Sequence, residues 1–267
     1  MSSYSALIRT FNSEQTLAAT LRSLSEQSAP PSQYVFVDSG SRDATLSLLP
    51  EGAVVHRFVG EKFNYSSALN QGIAHVSCDK VLIISSHTAL SDPGAIRYAL
   101  DLLDRDETIG AAYFDNERKP LTHQRIDRSN FNGFNGVWNT CAILRTDLVR
   151  SRPFRPEVFS AEDQEWSNWL VHTRALAVAR ISGAGMSNAA NPNISDKLML
   201  KQLNEHVAIA YYTNRKMLSL TGLAKIALHI VKPIPPFSLR TRIFYFLLLT
   251  RLVACRFAEP QPKSTYF

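Results

Sequence analysis

The sequence predicts an α/β fold, with a mainly parallel central sheet flanked by helices and a C-terminal helical tail. Three observations carry this reading. Short apolar runs at Ser5–Ile8, Tyr34–Val37, Val54–Phe58 and Val81–Ile84 have the length of buried strands. Apolar residues recur at helical spacing after the first of them (Leu17, Leu21, Leu24), before the fourth (Leu69, Ile73, Val76) and after it (Ile96, Leu100, Leu103). Strand–helix–strand order of this kind makes a parallel sheet with helices on its faces. The third observation is a change of character near residue 215. From there to the end, nine Lys or Arg face a single acid, a net of +8 within a chain of +6, so the preceding body is slightly acidic at −2.

The composition narrows the function classes. With 267 residues, 45% apolar and only 19% charged, the chain has material for a substantial core and is not a disordered segment. Cys78, Cys141 and Cys255 lie far apart without a CxxC pair, which argues against a disulfide framework or zinc cluster and for a reducing compartment. The N-terminus does not read as a secretory signal. A near-neutral body with a basic tail points to an anionic surface touched by the tail alone.

In a parallel sheet, ligands gather at the carboxyl ends of the strands. Those ends here are Arg9-Thr10-Phe11-Asn12, Asp38-Ser39-Gly40-Ser41-Arg42-Asp43 and Ser85-Ser86-His87. Polar residues after one strand describe an ordinary loop; three sets on one sheet edge describe a site. Beyond Gly110 the pattern loosens. Asn130 to Asn139, rich in Asn, Gly and aromatics, reads as a shaped loop whose Phe131, Phe134 and Trp138 suit sugar faces or, more simply, local packing. Ser160-Ala-Glu162-Asp163-Gln-Glu165-Trp166 then opens a helix with Trp166, Trp169 and Leu170 on its inner stripe. Acids in a first helical turn are favoured by the helix dipole, so Glu162 and Asp163 read locally either as cap residues or as site residues.

These segments together resemble the family 2 glycosyltransferases, inverting enzymes with the nucleotide-diphosphosugar (GT-A) fold, over about residues 5–193. The resemblance is carried by Ile8-Arg-Thr-Phe-Asn12, Val37-Asp-Ser-Gly-Ser-Arg-Asp-Ala-Thr45, Phe63-Asn-Tyr-Ser-Ser-Ala-Leu-Asn70, Ser85-Ser-His87 and Ala161-Glu-Asp-Gln-Glu-Trp166. It is nearest to bacterial transferases of surface-polysaccharide synthesis, including rhamnosyltransferases. It implies a nucleotide-sugar donor and a saccharide or lipid-linked acceptor. Thr10 and Asp38 match positions that hold the base and ribose, and Asn12, Ser39 and Ser86 lie in the same nucleotide-binding segments. Phe63, Asn64 and Asn70 match the segment beside the nucleotide, although Asn70 also reads as a structural amide. Asp43 reads as a brace of its own loop. Asp163 matches the general base that takes the acceptor proton, with Glu162 either sharing the site or capping the helix.

The chain departs from the family pattern at the end of the fourth strand, where most relatives carry Asp-x-Asp for a divalent metal. Ser85-Ser86-His87 leaves His87 as a ligand for Mg²⁺ or Mn²⁺, as a direct contact to the diphosphate, or as a structural histidine. After Ile181, where relatives often place a further His ligand, only Asn188 and Asn191 offer an amide oxygen.

A catalytic domain over 1–214 and a basic amphipathic region over 215–267 are therefore expected. The longest apolar run of that region, Ile243 to Leu249, is far shorter than the ~20 residues of a spanning helix. Its cations Arg240, Arg242, Arg251 and Arg256 suit lipid phosphates, the alternative being that the tail packs on its own domain. The expected location is the cytoplasm, peripheral on the inner face of the cell membrane, with no nucleic acid as partner. Two rival readings are a sugar-nucleotide or polysaccharide-binding module without catalysis and a nucleotidyltransferase. The latter wants a Gly-rich, cation-bearing loop after the first strand, which Arg9-Thr-Phe-Asn-Ser-Glu14 does not supply.

Overall fold

The structure, a computed structural model, describes residues 3–189, 195–231 and 239–260. Eight strands form one mixed sheet in the order β3-β2-β1-β4-β8-β6-β9-β7: β1 Ser5–Thr10, β2 Gln33–Asp38, β3 Val54–Arg57, β4 Lys80–Ser85, β6 Ile109–Phe114, β7 Thr122–Ile126, β8 Cys141–Arg145 and β9 Ala177–Ser182. β5 (Thr88–Leu90) and β10 (Met186–Asn188) pair separately as a small antiparallel ribbon. β1 to β4 run parallel, as their apolar runs predict, and β6 and β9 share that direction. β8 runs against both its neighbours β4 and β6, and β7 runs against β9 at the edge.

Apolar layers cover both faces. On one, Leu17 and Leu24 of α1 (Glu14–Ser25) and Ile96, Leu100 and Leu103 of α3 (Ala95–Arg105) pack on Ala6, Ile8, Phe36 and Leu82. On the other, Leu69 and Ile73 of α2 (Tyr65–Ile73), Leu148 of α4 (Thr146–Ser151) and Trp166 and Leu170 of α5 (Glu162–His172) pack on Leu7, Val35, Val37 and Ile83. Alternation along β1 thus sends Leu7 to the α2 side and Ile8 to the α1 side. Gly72 permits close approach of α2, since a Cβ there would lie 2.4 Å from a methyl of Leu7.

The C-terminal part is helical. α6 (Ser195–Tyr212), α7 (Leu220–Val231) and α8 (Leu239–Ala254) share an apolar cluster of Leu203, Val207, Ala210, Leu223, Ile226, Leu248 and Leu252. α6 also lies against α5. Arg251 turns inward and donates to Asn204 at 2.6 Å, which corrects its expected place among lipid-facing cations. Among the described residues no helix is long and apolar enough to cross a membrane. Asn191 and the Lys232–Pro236 interruption lie outside the described residues.

Candidate active site

The parallel strands end on one edge, and the sequence-predicted residues meet there. Thr10, at the end of β1, donates its hydroxyl to Asp38 at the end of β2 across 3.0 Å. The Asp38 carboxylate also accepts from the Gly40 and Ser41 amides, each at 2.9 Å, and from the Ser41 hydroxyl at 2.5 Å. Four donors fill the lone-pair sites of a carboxylate. Asp38 therefore fixes the Ser39–Arg42 loop, which turns at Gly40 with φ +90°. Asn12 lies opposite, with φ +47°; its amide N–H donates to Ser41 Oγ and its side-chain oxygen accepts from Arg42 N–H, both at 2.9 Å. Asp43 braces its own loop, accepting from the Thr45 amide at 3.0 Å and from the Glu14 amide at 3.1 Å.

Beside β1, Phe63 and Tyr65 meet edge to face at 4.9 Å, and the Arg9 guanidinium lies 4.6 Å from the Tyr65 ring. Asn64 caps α2 by accepting from the Ser67 amide at 3.0 Å. Asn70 places both ends of its amide on the Phe154 backbone, at 2.7 and 3.0 Å, which is the structural alternative for this residue. Ser86, at the end of β4, meets the Ser13 hydroxyl at 2.8 Å and ties this strand end to the start of α1. His87 stands exposed beyond it, and its carbonyl accepts from the Ala189 amide at 2.9 Å. The surrounding protein, then Lys201 and Arg9, lower the pKa of its imidazole. Asn188 is already engaged, accepting from the Thr88 hydroxyl at 2.7 Å.

The acidic half of the site is built by α5 and the loop before β8. Because β8 runs antiparallel, its entrance rather than its exit lies on this edge, and it delivers Trp138 and Asn139 there. Gln164 holds that loop against α5: its side chain accepts from Gly136 N–H at 2.9 Å and donates to Val137 C=O at 2.8 Å. Ser167 adds a bond from Val137 N–H at 2.8 Å. Asn139 then bridges the two acids, its backbone N–H donating to Asp163 at 3.1 Å and its side-chain amide to Glu162 at 3.3 Å. The Asn139 side-chain oxygen is buried without a partner among the described residues. Glu165 serves structure instead, paired to Arg152. The helix is entered at Ala161 without a side-chain cap, after Ser160 at φ +62°.

Burial, the Glu162 carboxylate and more distantly Glu205 push the Asp163 carboxyl above the ordinary carboxylate range, against the lowering bonds from the Asn139 and Gln164 amides. Glu205 of α6 is itself raised, by burial and by Glu162, while Lys201 lowers it. A carboxylate with an elevated pKa on this edge is suited to take a proton. Arg9 and Asn139 stand in the quoted segments without an assigned role, and Lys201 and Glu205 of α6 lie outside every motif. Phe134 packs against His206 of α6 at 5.3 Å and Phe131 against His172 at 5.7 Å, while Trp138 rests on Tyr113 at 5.1 Å beside Asn139.

A mainly parallel sheet flanked by helices, with a polar edge divided into a loop-built half and an acidic half, defines the GT-A architecture. The profile described as Glycosyl transferase family 2 matches residues 5–161, and the chain belongs to that family. No curated protein matches it. Solved structures agree with the fold. The mannosyltransferase PcManGT of Pyrobaculum calidifontis, solved with GDP-Man and Mn²⁺, is 17% identical with TM-score 0.62, over 95% of this chain and 74% of that one. TarS of S. aureus (residues 1–349) is 18% identical with TM-score 0.58, over 95% and 80%. Glucosyl-3-phosphoglycerate synthase of Mycobacterium tuberculosis, solved with Mg²⁺ and UDP, is 17% identical with TM-score 0.60, over 78% of both.

Proposed function

We propose that this chain is an inverting glycosyltransferase that moves a hexosyl or deoxyhexosyl group from a nucleotide-diphosphate donor to a saccharide or lipid-linked saccharide acceptor in bacterial surface-polysaccharide synthesis. The observation that carries this reading is Asp163, oriented by the Asn139 amide at 3.1 Å and raised in pKa, on the edge where Thr10 and Asp38 end their strands. In the proposed reaction the Asp163 carboxylate takes the acceptor hydroxyl proton while that oxygen attacks the anomeric carbon. The anomeric C–O bond to the diphosphate breaks on the opposite face, the nucleoside diphosphate departs, and the configuration inverts. One carboxylate suffices, and no covalent enzyme intermediate forms. Glu162 keeps the base proton-hungry by its charge, and Trp138 and the partnerless Asn139 oxygen offer a stacking face and an acceptor to the incoming sugar. The Ser39–Arg42 loop braced by Asp38 receives the nucleoside with Thr10, Asn12 and Ser39; Phe63, Asn64 and Asn70 back it.

Residues 1–214 act as the catalytic domain and 215–267 as a region that rests on the inner membrane face. Leu220, Leu228, Val231, Leu239, Ile243, Phe246, Val253 and Phe257 expose apolar side chains there, among the cations of a +8 segment. This combination supports interfacial binding.

The deciding experiment is Asp163→Asn assayed for transfer and for donor binding. Transfer falls by on the order of 10²–10⁴ while nucleoside-diphosphate affinity holds. Turnover close to wild type would sink the assignment. A wild-type protein that binds donor and transfers to no acceptor is the binding module of the rival reading.

A further inference from the structure

The compared PcManGT and mycobacterial synthase were solved with Mn²⁺ and Mg²⁺. Such cations select carboxylate oxygens. The end of β4 offers Ser85, Ser86 and His87 instead. Ser86 is committed to Ser13 at 2.8 Å, and Asn188 to Thr88 at 2.7 Å. Among the described residues no three His, Cys, Asp or Glu side chains come together as ligands. The charges facing this place are positive. Arg9 stands in register with Ser85 across β1 and β4. Its guanidinium lies 4.6 Å from the Tyr65 ring, with Nη1 buried and without a hydrogen-bond partner among the described residues. Lys201 acts on His87 together with Arg9. A divalent cation here would meet the Arg9 guanidinium and, among the described residues, no group of three ligands. The donor set does not fit a metal.

We propose that the donor diphosphate is gripped by Arg9, with Lys201 and His87, in place of a divalent metal. This deepens the glycosyltransferase reading and rests on it. A buried guanidinium nitrogen without an acceptor is a rare state in a folded chain, and it describes a group shaped for an anion that arrives later. The guanidinium fork matches phosphate oxygens two at a time, and stacking on Tyr65 holds its plane. Lys201 adds a point charge from α6, and His87 adds a ring N–H donor from the β4 end. As the anomeric C–O bond breaks, the departing diphosphate gains negative charge against these fixed groups, which serve the electrostatic role a metal serves in relatives.

The test uses the full-length protein. UDP and GDP are titrated calorimetrically in excess EDTA and in MnCl₂, and uridine and guanosine by NMR. The expected result is that at least one diphosphate binds in EDTA within about threefold of its affinity in Mn²⁺. Arg9→Gln weakens that binding about tenfold or more, the scale of a lost charge-assisted bond, and leaves the nucleoside within about threefold. Lys201→Gln acts the same way and decides the matter alone if Arg9→Gln does not fold. Binding that requires Mn²⁺, or binding in EDTA that neither substitution weakens, overturns the proposal and leaves the glycosyltransferase reading standing. No diphosphate binding in either buffer overturns both.

Discussion

Gln164→Met isolates the shaped loop from the chemistry it presents. Gln164 is 3% exposed and spends both ends of its amide on the loop backbone, at Gly136 N–H and Val137 C=O. Methionine fills nearly the same volume and offers neither bond, so two buried backbone groups lose their partners. Water has little room to replace them: a Cβ on Gly136 would lie 2.5 Å from the Ser167 Cβ. Stranding a buried polar group costs about 1–3 kcal/mol. Partial relaxation of the loop toward solvent leaves a net loss of about 2–4 kcal/mol, or a fall in Tm on the order of 5–15 °C for a chain of this size. The same loop carries Asn139, so the Asp163 carboxylate loses its orienting amide, and transfer falls further than the folded fraction accounts for. Thermal melts, with kcat measured well below the transition, separate the two effects. An unchanged Tm would refute the packing argument; a lowered Tm with wild-type kcat would refute the link from the loop to the base.

The raised Asp163 carboxyl gives a pH-dependence of defined sign. Transfer rises with pH as the base ionises, through a midpoint above the ~4 of an ordinary carboxylate. Stability contributed by the protonated form is present at low pH and lost as pH rises through that same midpoint. Glu162→Gln removes one cause of the shift and moves the rate limb to lower pH; a limb that stays in place in the pH–rate profile counts against the coupling. Asp38→Ala releases four donors, loosens the Ser39–Arg42 loop and weakens nucleoside-diphosphate binding about tenfold or more, at 1.5–3 kcal/mol for a bond to a charged group. Unchanged affinity by calorimetry would reduce Asp38 to a turn residue. In the tail, Leu239 and Phe246 are 75% and 56% exposed, and replacing both by Ser lowers partition onto anionic vesicles about tenfold without changing the melt. Salt weakens the wild-type partition as well, by screening the cations. Equal sedimentation of variant and wild type would remove the interfacial reading.

How much was legible in the sequence depended on how local the signal was. β1 to β4 and the helices among them announce themselves through apolar runs and i, i+4, i+7 stripes, because each such element buries one face against its neighbour. The later strands give weaker signals. β6 opens Ile109-Gly-Ala-Ala, with little bulk, and β7 is a polar edge strand, Thr122-His-Gln-Arg-Ile126, exposed along most of its length. The order of β8 between β4 and β6 is a tertiary fact that no local pattern encodes. The site divides the same way. Asp163 and Asp38 sit in motifs whose spacing is visible, yet the saturated state of Asp38 and the structural use of Asn70 depend on partners distant in sequence. Lys201 and Glu205 come near the acidic half through the packing of α6 against α5, so nothing within α6 itself marks them.

The reversed strand β8 has a consequence for how such a protein diversifies. One half of the edge is made where β1, β2 and β4 finish, in short connections. The acidic half borrows the mouth of a strand running the other way, fed by residues 127–139. Lengthening or rewriting that feeder leaves the register of β1, β2 and β4 untouched. Under the proposed function, choice of recipient sugar would thereby be uncoupled from choice of donor, and one sheet could be fitted to new substrates on one flank at a time.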